Sequence, residues 1–140
     1  MSHGPDSSSP HPHSRGFLAL VEDARLRVKR MAIADYLALL DRGETPLLLD
    51  VREDREWDAG HLPGAAHLGK GIIERDVEDL VPDPATPLVL YCGGGFRSVL
   101  ACDSLRRMGY SNCTSLDGGW KGWLALGLPV ETAPRKEESR

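Results

Sequence analysis

Apolar positions along this chain follow two rhythms that take turns. Phe17, Val21, Ala24 and Val28 keep a helical period, and Ile33, Tyr36, Leu37 and Leu40 form a second helical face that Gly43 terminates. Leu47-Leu48-Leu49-Asp50-Val51 is a continuous run, as expected of a strand buried on both faces. A short polar segment, Glu53 to Ala59, leads into Gly60-His61-Leu62-Pro63-Gly64-Ala65, a turn punctuated by Gly and Pro. Ile73, Val77 and Leu80 predict another helix, which Pro82-Asp83-Pro84 breaks. Pro87 to Tyr91 predicts a strand, Ala101, Leu105 and Met108 a helix closed by Gly109, and Cys113 to Leu116 the last strand. Gly118-Gly119-Trp120 opens a final short helix, which Pro129 ends. Strands alternating with helices predict an α/β domain with a mostly parallel sheet.

Composition sets the limits of that domain. Residues 1–16 are rich in Ser, Pro, His and Gly and are expected to form a disordered tail that includes His3, His11 and His13. Residues 17–133 are then one domain and 134–140 a charged tail. A net charge of −4 is mild and gives no reason to expect nucleic acid or a membrane as partner. Arg25, Arg27, Lys29 and Arg30 are read as a solvated face near the end of a helix. No apolar run approaches a membrane span, and no secretory signal is visible at the N-terminus. Three cysteines, Cys92, Cys102 and Cys113, lack metal-ligand spacing and make an odd number. A disulfide framework is not expected, and a reducing compartment, the cytoplasm, fits better. Cys102 and Cys113 are read as packing residues, and neither a metal nor another cofactor is expected.

One stretch carries chemistry. The predicted strand at 87–91 runs into Cys92-Gly93-Gly94-Gly95-Phe96-Arg97-Ser98 and then into a helix. Strand, glycine-rich turn and helix make an anion cradle. Glycines let successive backbone N–H groups point inward, and the helix N-terminus adds partial positive charge. A cysteine at the mouth of such a nest, with an arginine on the far rim, is favoured as a thiolate nucleophile. In parallel sheets ligands bind beyond the carboxyl ends of strands, where Cys92 lies.

Three segments, in this order, resemble the single-domain rhodanese (sulfurtransferase) family. They are Leu49-Asp50-Val51-Arg52-Glu53 with Gly60 to Ala65, then Cys92 to Arg97, then Leu116-Asp117-Gly118-Gly119-Trp120-Lys121-Gly122-Trp123 with Pro129-Val130. The resemblance implies a rhodanese-like three-layer fold, a mostly parallel central sheet flanked by helices. It also implies a persulfide mechanism, in which Cys92 takes a sulfane sulfur from a donor such as thiosulfate and yields it to cyanide or a thiol. On that reading Gly93, Gly94, Gly95, Phe96 and Ser98 hold the transferred sulfur, and Arg97 draws in the anionic donor. Asp50 and Arg52 support the loop, and His61, Trp120 and Trp123 belong to the architecture. Some family members carry a basic residue just after the cysteine. This chain has glycines there, which leaves Arg97 as the loop cation and the donor open.

Two other readings use the same residues. One is a module that relays persulfide sulfur to a protein acceptor. The other is a cysteine-dependent phosphatase or arsenate reductase. Those enzymes place five residues between Cys and Arg, whereas only Gly93, Gly94, Gly95 and Phe96 intervene here. The shorter loop is expected to form a cradle suited to one sulfur atom.

Overall fold

A computed structural model describes residues 13–132. Its elements alternate throughout: α1 (Arg15–Arg25), β1 (Lys29–Met31), α2 (Ile33–Asp41), β2 (Leu47–Asp50), α3 (Asp54–Ala59), β3 (Ala66–His67), α4 (Ile73–Leu80), β4 (Leu88–Tyr91), α5 (Phe96–Arg107), β5 (Cys113–Leu116) and α6 (Gly119–Ala125). The five strands form one sheet in the order β1-β5-β4-β2-β3. Every pairing in it is parallel. All four residues of β4 are buried, because this central strand has a neighbour on each edge and a packed layer on each face.

The two faces of the sheet have separate cores. Leu88, Leu90 and Leu49 pack against Ile73 and Val77 of α4 and Leu105 of α5 on one side. Val89, Tyr91 and Leu48 pack against Tyr36 of α2 and Trp123 of α6 on the other. Alternate residues of one strand thus serve opposite cores, as strand pleating requires. The result is the three-layer α/β fold. Among the described residues no helix is long and apolar enough to cross a membrane.

Four local expectations are corrected. The helical period through Val28 does not hold, since α1 ends at Arg25 and the chain turns into β1. Lys29 and Arg30 pair with Thr114 and Ser115 of β5, and Arg27 bonds Asp23 and Asp103. A three-residue basic strand at a sheet edge is too short for a periodic signal, and its charge suits an edge. The polar segment after Glu53 is α3, closed by a reciprocal capping box between Glu53 and Glu56. The turn ending at Ala65 continues into the two-residue strand β3. Finally, α1 begins inside the stretch read as tail. The Ser14 hydroxyl accepts a bond from the Phe17 N–H at 3.2 Å, and the His13 ring lies 4.6 Å from that of Phe96. His3 and His11, and the charged tail 134–140, lie outside the described residues.

Candidate active site

Cys92 leaves β4 at its carboxyl end, and the next three glycines turn the chain straight into α5. Gly95 caps that helix with φ +100°, a left-handed conformation that side chains resist. The tight turn aims two backbone donors at one atom. Cys92 Sγ accepts from the Gly95 N–H at 3.1 Å and from the Ser98 N–H at 3.4 Å. The Ser98 hydroxyl lies 3.5 Å from the sulfur and is bonded in turn to the Ser115 hydroxyl at 2.7 Å. The sulfur therefore sits over the first turn of a twelve-residue helix, where the N–H groups have no partner within the helix. Gly93, Gly94 and Phe96 donate nothing to it; they form the wall around it.

An open depression of about 600 Å³ gives access to Cys92, bordered by Gly93, Gly94, Phe96, Arg97 and Glu56 and by Trp120 and Lys121 of α6. Arg97 is in this wall, but it is not a free cation. Its guanidinium makes a two-pronged bond to the Glu56 carboxylate, at 2.9 and 3.1 Å. Arg97 holds the Glu56 carboxyl at about 2, against the opposing effect of burial. The same pairing raises Arg97. Glu56 also accepts from the Glu53 N–H at 3.0 Å, so one carboxylate caps α3 and fixes Arg97. Lys121 has no ion-pair partner among the described residues and brings an uncompensated positive charge to the mouth.

Asp50 and Arg52 do not touch the sulfur. They form a two-pronged pair with each other at full burial, down to 2.7 Å. Arg52 also donates to the Gly60 carbonyl at 2.6 Å and lies 4.6 Å from the Trp120 ring centroid. Asp50 accepts from the Tyr91 hydroxyl at 2.5 Å, and that oxygen accepts from the Leu62 N–H at 3.0 Å. The pair thus fixes the residue immediately before Cys92 and the turn at 60–62. Burial, and then the Asp50 carboxylate, push the Tyr91 hydroxyl far up, so it stays a donor. The Cys92 loop is held from the other side by α6. The Trp120 and Lys121 N–H groups donate to the carbonyls of Cys92 and Gly93, at 2.8 and 2.9 Å.

The sequence assigned Trp120 and Trp123 alike to the architecture. Trp123 is buried, whereas Trp120 is half-buried at the edge of the depression. His61 stacks on Trp57 at 3.5 Å in the turn, away from the sulfur. Glu56, Lys121 and Tyr91 are the residues that sequence reading passed over. Only Glu56 had a local signal, its capping-box spacing from Glu53. Among the described residues no three His, Cys, Asp or Glu side chains converge as metal ligands do.

With this geometry established, similarity to other proteins becomes informative. The rhodanese-like domain profile matches residues 32–126. The thiosulfate sulfurtransferase GlpE of Pseudomonas entomophila is 34% identical over 110 residues, covering 79% of this chain and 96% of its relative. A crystal structure of thiosulfate sulfurtransferase from Pseudomonas aeruginosa superposes with a TM-score of 0.73 at 26% identity, covering 84% of this chain and 23% of that one. RPA3614 from Rhodopseudomonas palustris, a protein of unknown function described as a possible tyrosine phosphatase, superposes at 0.74 with 29% identity, covering 87% and 98%.

Proposed function

The chain belongs to the rhodanese-like family and is a rhodanese-type sulfurtransferase, and from that premise we propose that the sulfur travels as a persulfide on Cys92. The Cys92 thiolate attacks the outer sulfur of a donor such as thiosulfate. The donor's S–S bond breaks, sulfite departs with its electron pair, and Cys92 holds the sulfane sulfur. A thiolate or cyanide then attacks the outer persulfide sulfur, and the Cys92 thiolate leaves. The observation that carries this reading is the convergence of the Gly95 and Ser98 N–H groups on one sulfur atom. Donors fixed in that way stabilise negative charge on sulfur before and after transfer without reorganising.

Donor recognition follows from the charges around the depression. With Arg97 tied to Glu56, the cation free among the described residues of the depression to meet an anionic donor or acceptor is Lys121. Arg97 then acts by completing the wall and offsetting Glu56. Three free thiols among the described residues fit a reducing compartment, and the cytoplasm is the location proposed.

The description of RPA3614 gives a phosphatase reading some standing, and the geometry speaks against it here. A phosphoryl oxyanion needs a free arginine and a protonated group to assist the leaving oxygen. Arg97 is already engaged by a carboxylate, and that carboxylate, Glu56, is held ionised. Intact-protein mass after incubation with thiosulfate tests the proposal. One added sulfur on the wild-type protein, and none on Cys92→Ser, is expected. Loading of the Cys92→Ser protein would move the site elsewhere, and aryl phosphate hydrolysis by wild type would favour the phosphatase.

A further inference from the structure

Helix α5 and strand β5 bring together two sulfur atoms that the proposed transfer leaves unused. Cys102 Sγ and Cys113 Sγ lie 3.1 Å apart, and both are free thiols. Both cysteines belong to the buried core on the α5 side of the sheet, at its margin. A cleft of about 360 Å³ borders both cysteines, and Arg27, Lys29 and Arg106 stand in its wall. Cys113 is the more open of the two, at 7% exposed against 1% for Cys102. Among the described residues two acids face these cations: Asp23, 2.9 Å from Arg27, and Asp103, which bonds Arg27 and Arg106 and lies 3.7 Å from Arg107, so that four cations meet two carboxylates. Among the described residues Lys29 has only the uncharged Asn112 as a partner, at 3.4 Å. The cleft is therefore positive around its two thiols.

We infer that Cys102 and Cys113 form a second, redox-active dithiol site that reacts with anionic low-molecular-weight disulfides, Cys113 attacking and Cys102 resolving. The site does not depend on Cys92 or on the sulfur transfer proposed for it. In the first step the Cys113 thiolate attacks one sulfur of the external disulfide. That S–S bond breaks, and the first thiolate leaves and takes up the proton Cys113 gave to solvent. The hydrogen bond with Cys113, and burial, push the Cys102 thiol well up, so it waits protonated while the first step occurs. Cys102 then loses its proton and attacks the Cys113 sulfur, expelling the second thiolate, which is protonated in turn. The two cysteines are oxidised by two electrons, and one external disulfide becomes two thiols. The new bond ties α5 to β5.

The test uses the full chain carrying Cys92→Ser, so that the remaining thiols are these two, with oxidised glutathione as probe. The protein should end two hydrogens lighter, with a proteolytic fragment joining Cys102 to Cys113. The rate should rise in proportion to glutathione disulfide, as a reaction of the folded protein requires. Adding Cys102→Ser should halt the reaction at a glutathione adduct on Cys113. Lys29→Glu should reduce the preference for glutathione disulfide over uncharged hydroxyethyl disulfide by about tenfold at low salt. Two persistently free thiols, or a rate that plateaus at the rate of unfolding, would overturn the inference. So would an adduct on Cys102 instead of Cys113, and an unchanged preference in Lys29→Glu would overturn the cleft as the route of entry. Should Cys102→Ser fail to fold, the mass, the cross-linked fragment and the concentration dependence still decide.

Discussion

Arg97 and Glu56 behave as one charged unit, and their substitutions should reveal it. Arg97→Ala strips the positive half and leaves a bare carboxylate beside the entrance, repelling anionic donors. We expect kcat/KM for thiosulfate to fall by roughly one to two orders of magnitude, equivalent to about 1.5–3 kcal/mol. Arg97→Ala/Glu56→Ala should regain part of that loss, since the offending charge is also gone. Equal rates for the single and double variants would show that Arg97 contacts the donor itself. The same pair predicts a pH signature. Glu56 sits at about 2 in the folded protein against an ordinary 4.5, a depressed value. Its stabilisation is therefore complete above about 4.5 and disappears as pH drops towards 2. The difference in urea midpoint between wild type and Glu56→Gln should be flat from neutral pH to about 5 and close below 4.5. That Cys92 and Arg97 would border one glycine-rich turn was legible in the sequence, because glycines next to a cysteine have few other uses. The Arg97–Glu56 bond was not, because it joins residues forty-one positions apart whose approach is set by how α3 meets α5.

Elements position Cys92 by where they end. The start of α6 lies so close to the Cys92 loop that a Cβ on Gly119 would collide with the Cys92 carbonyl, at φ +52°. Gly119→Ala should therefore displace the loop and cost both stability and turnover, with strain of about 1–3 kcal/mol in the backbone alone. A folded, fully active Gly119→Ala protein would mean that α6 can shift without moving Cys92. Inserting one glycine between Gly95 and Phe96 probes the other end. It separates the Gly95 N–H from the first turn of α5 and should lower sulfur transfer by about 100-fold while circular dichroism is preserved. An unchanged rate would show that the spacer length does not set the chemistry. The longer helices were readable from their apolar period, as α5 and α4 illustrate. Strand β1 and helix α3 were not, since three and six residues give little room for a period, and their polar residues answer to neighbours distant in sequence.

At the scale of the molecule, the buried Asp50–Arg52–Tyr91 group ties the centre of the sheet to the turn at 60–62. Tyr91→Phe leaves Asp50 and the Leu62 N–H each short of a partner, at an expected cost of about 1–3 kcal/mol, seen as a lower urea midpoint. A midpoint equal to wild type would show that water or a shifted side chain replaces the hydroxyl. The α/β class was legible from alternation alone, but strand order was not, because crossovers leave no trace in local pattern. That order has a consequence for time as well as for shape. Strand β4 is hydrogen-bonded on both edges, to β2 and to β5, whereas β1 and β3 each have one neighbour. Native-state hydrogen exchange should accordingly find the β4 amides among the last to open, near the free energy of global unfolding, and the edge strands far earlier. Cys92 would then be anchored to the slowest-opening part of the molecule. On the proposed persulfide route, a sulfur carried there would meet reductants through the mouth of its depression rather than through breathing of the protein, and the lifetime of the loaded enzyme would be set by which nucleophile arrives.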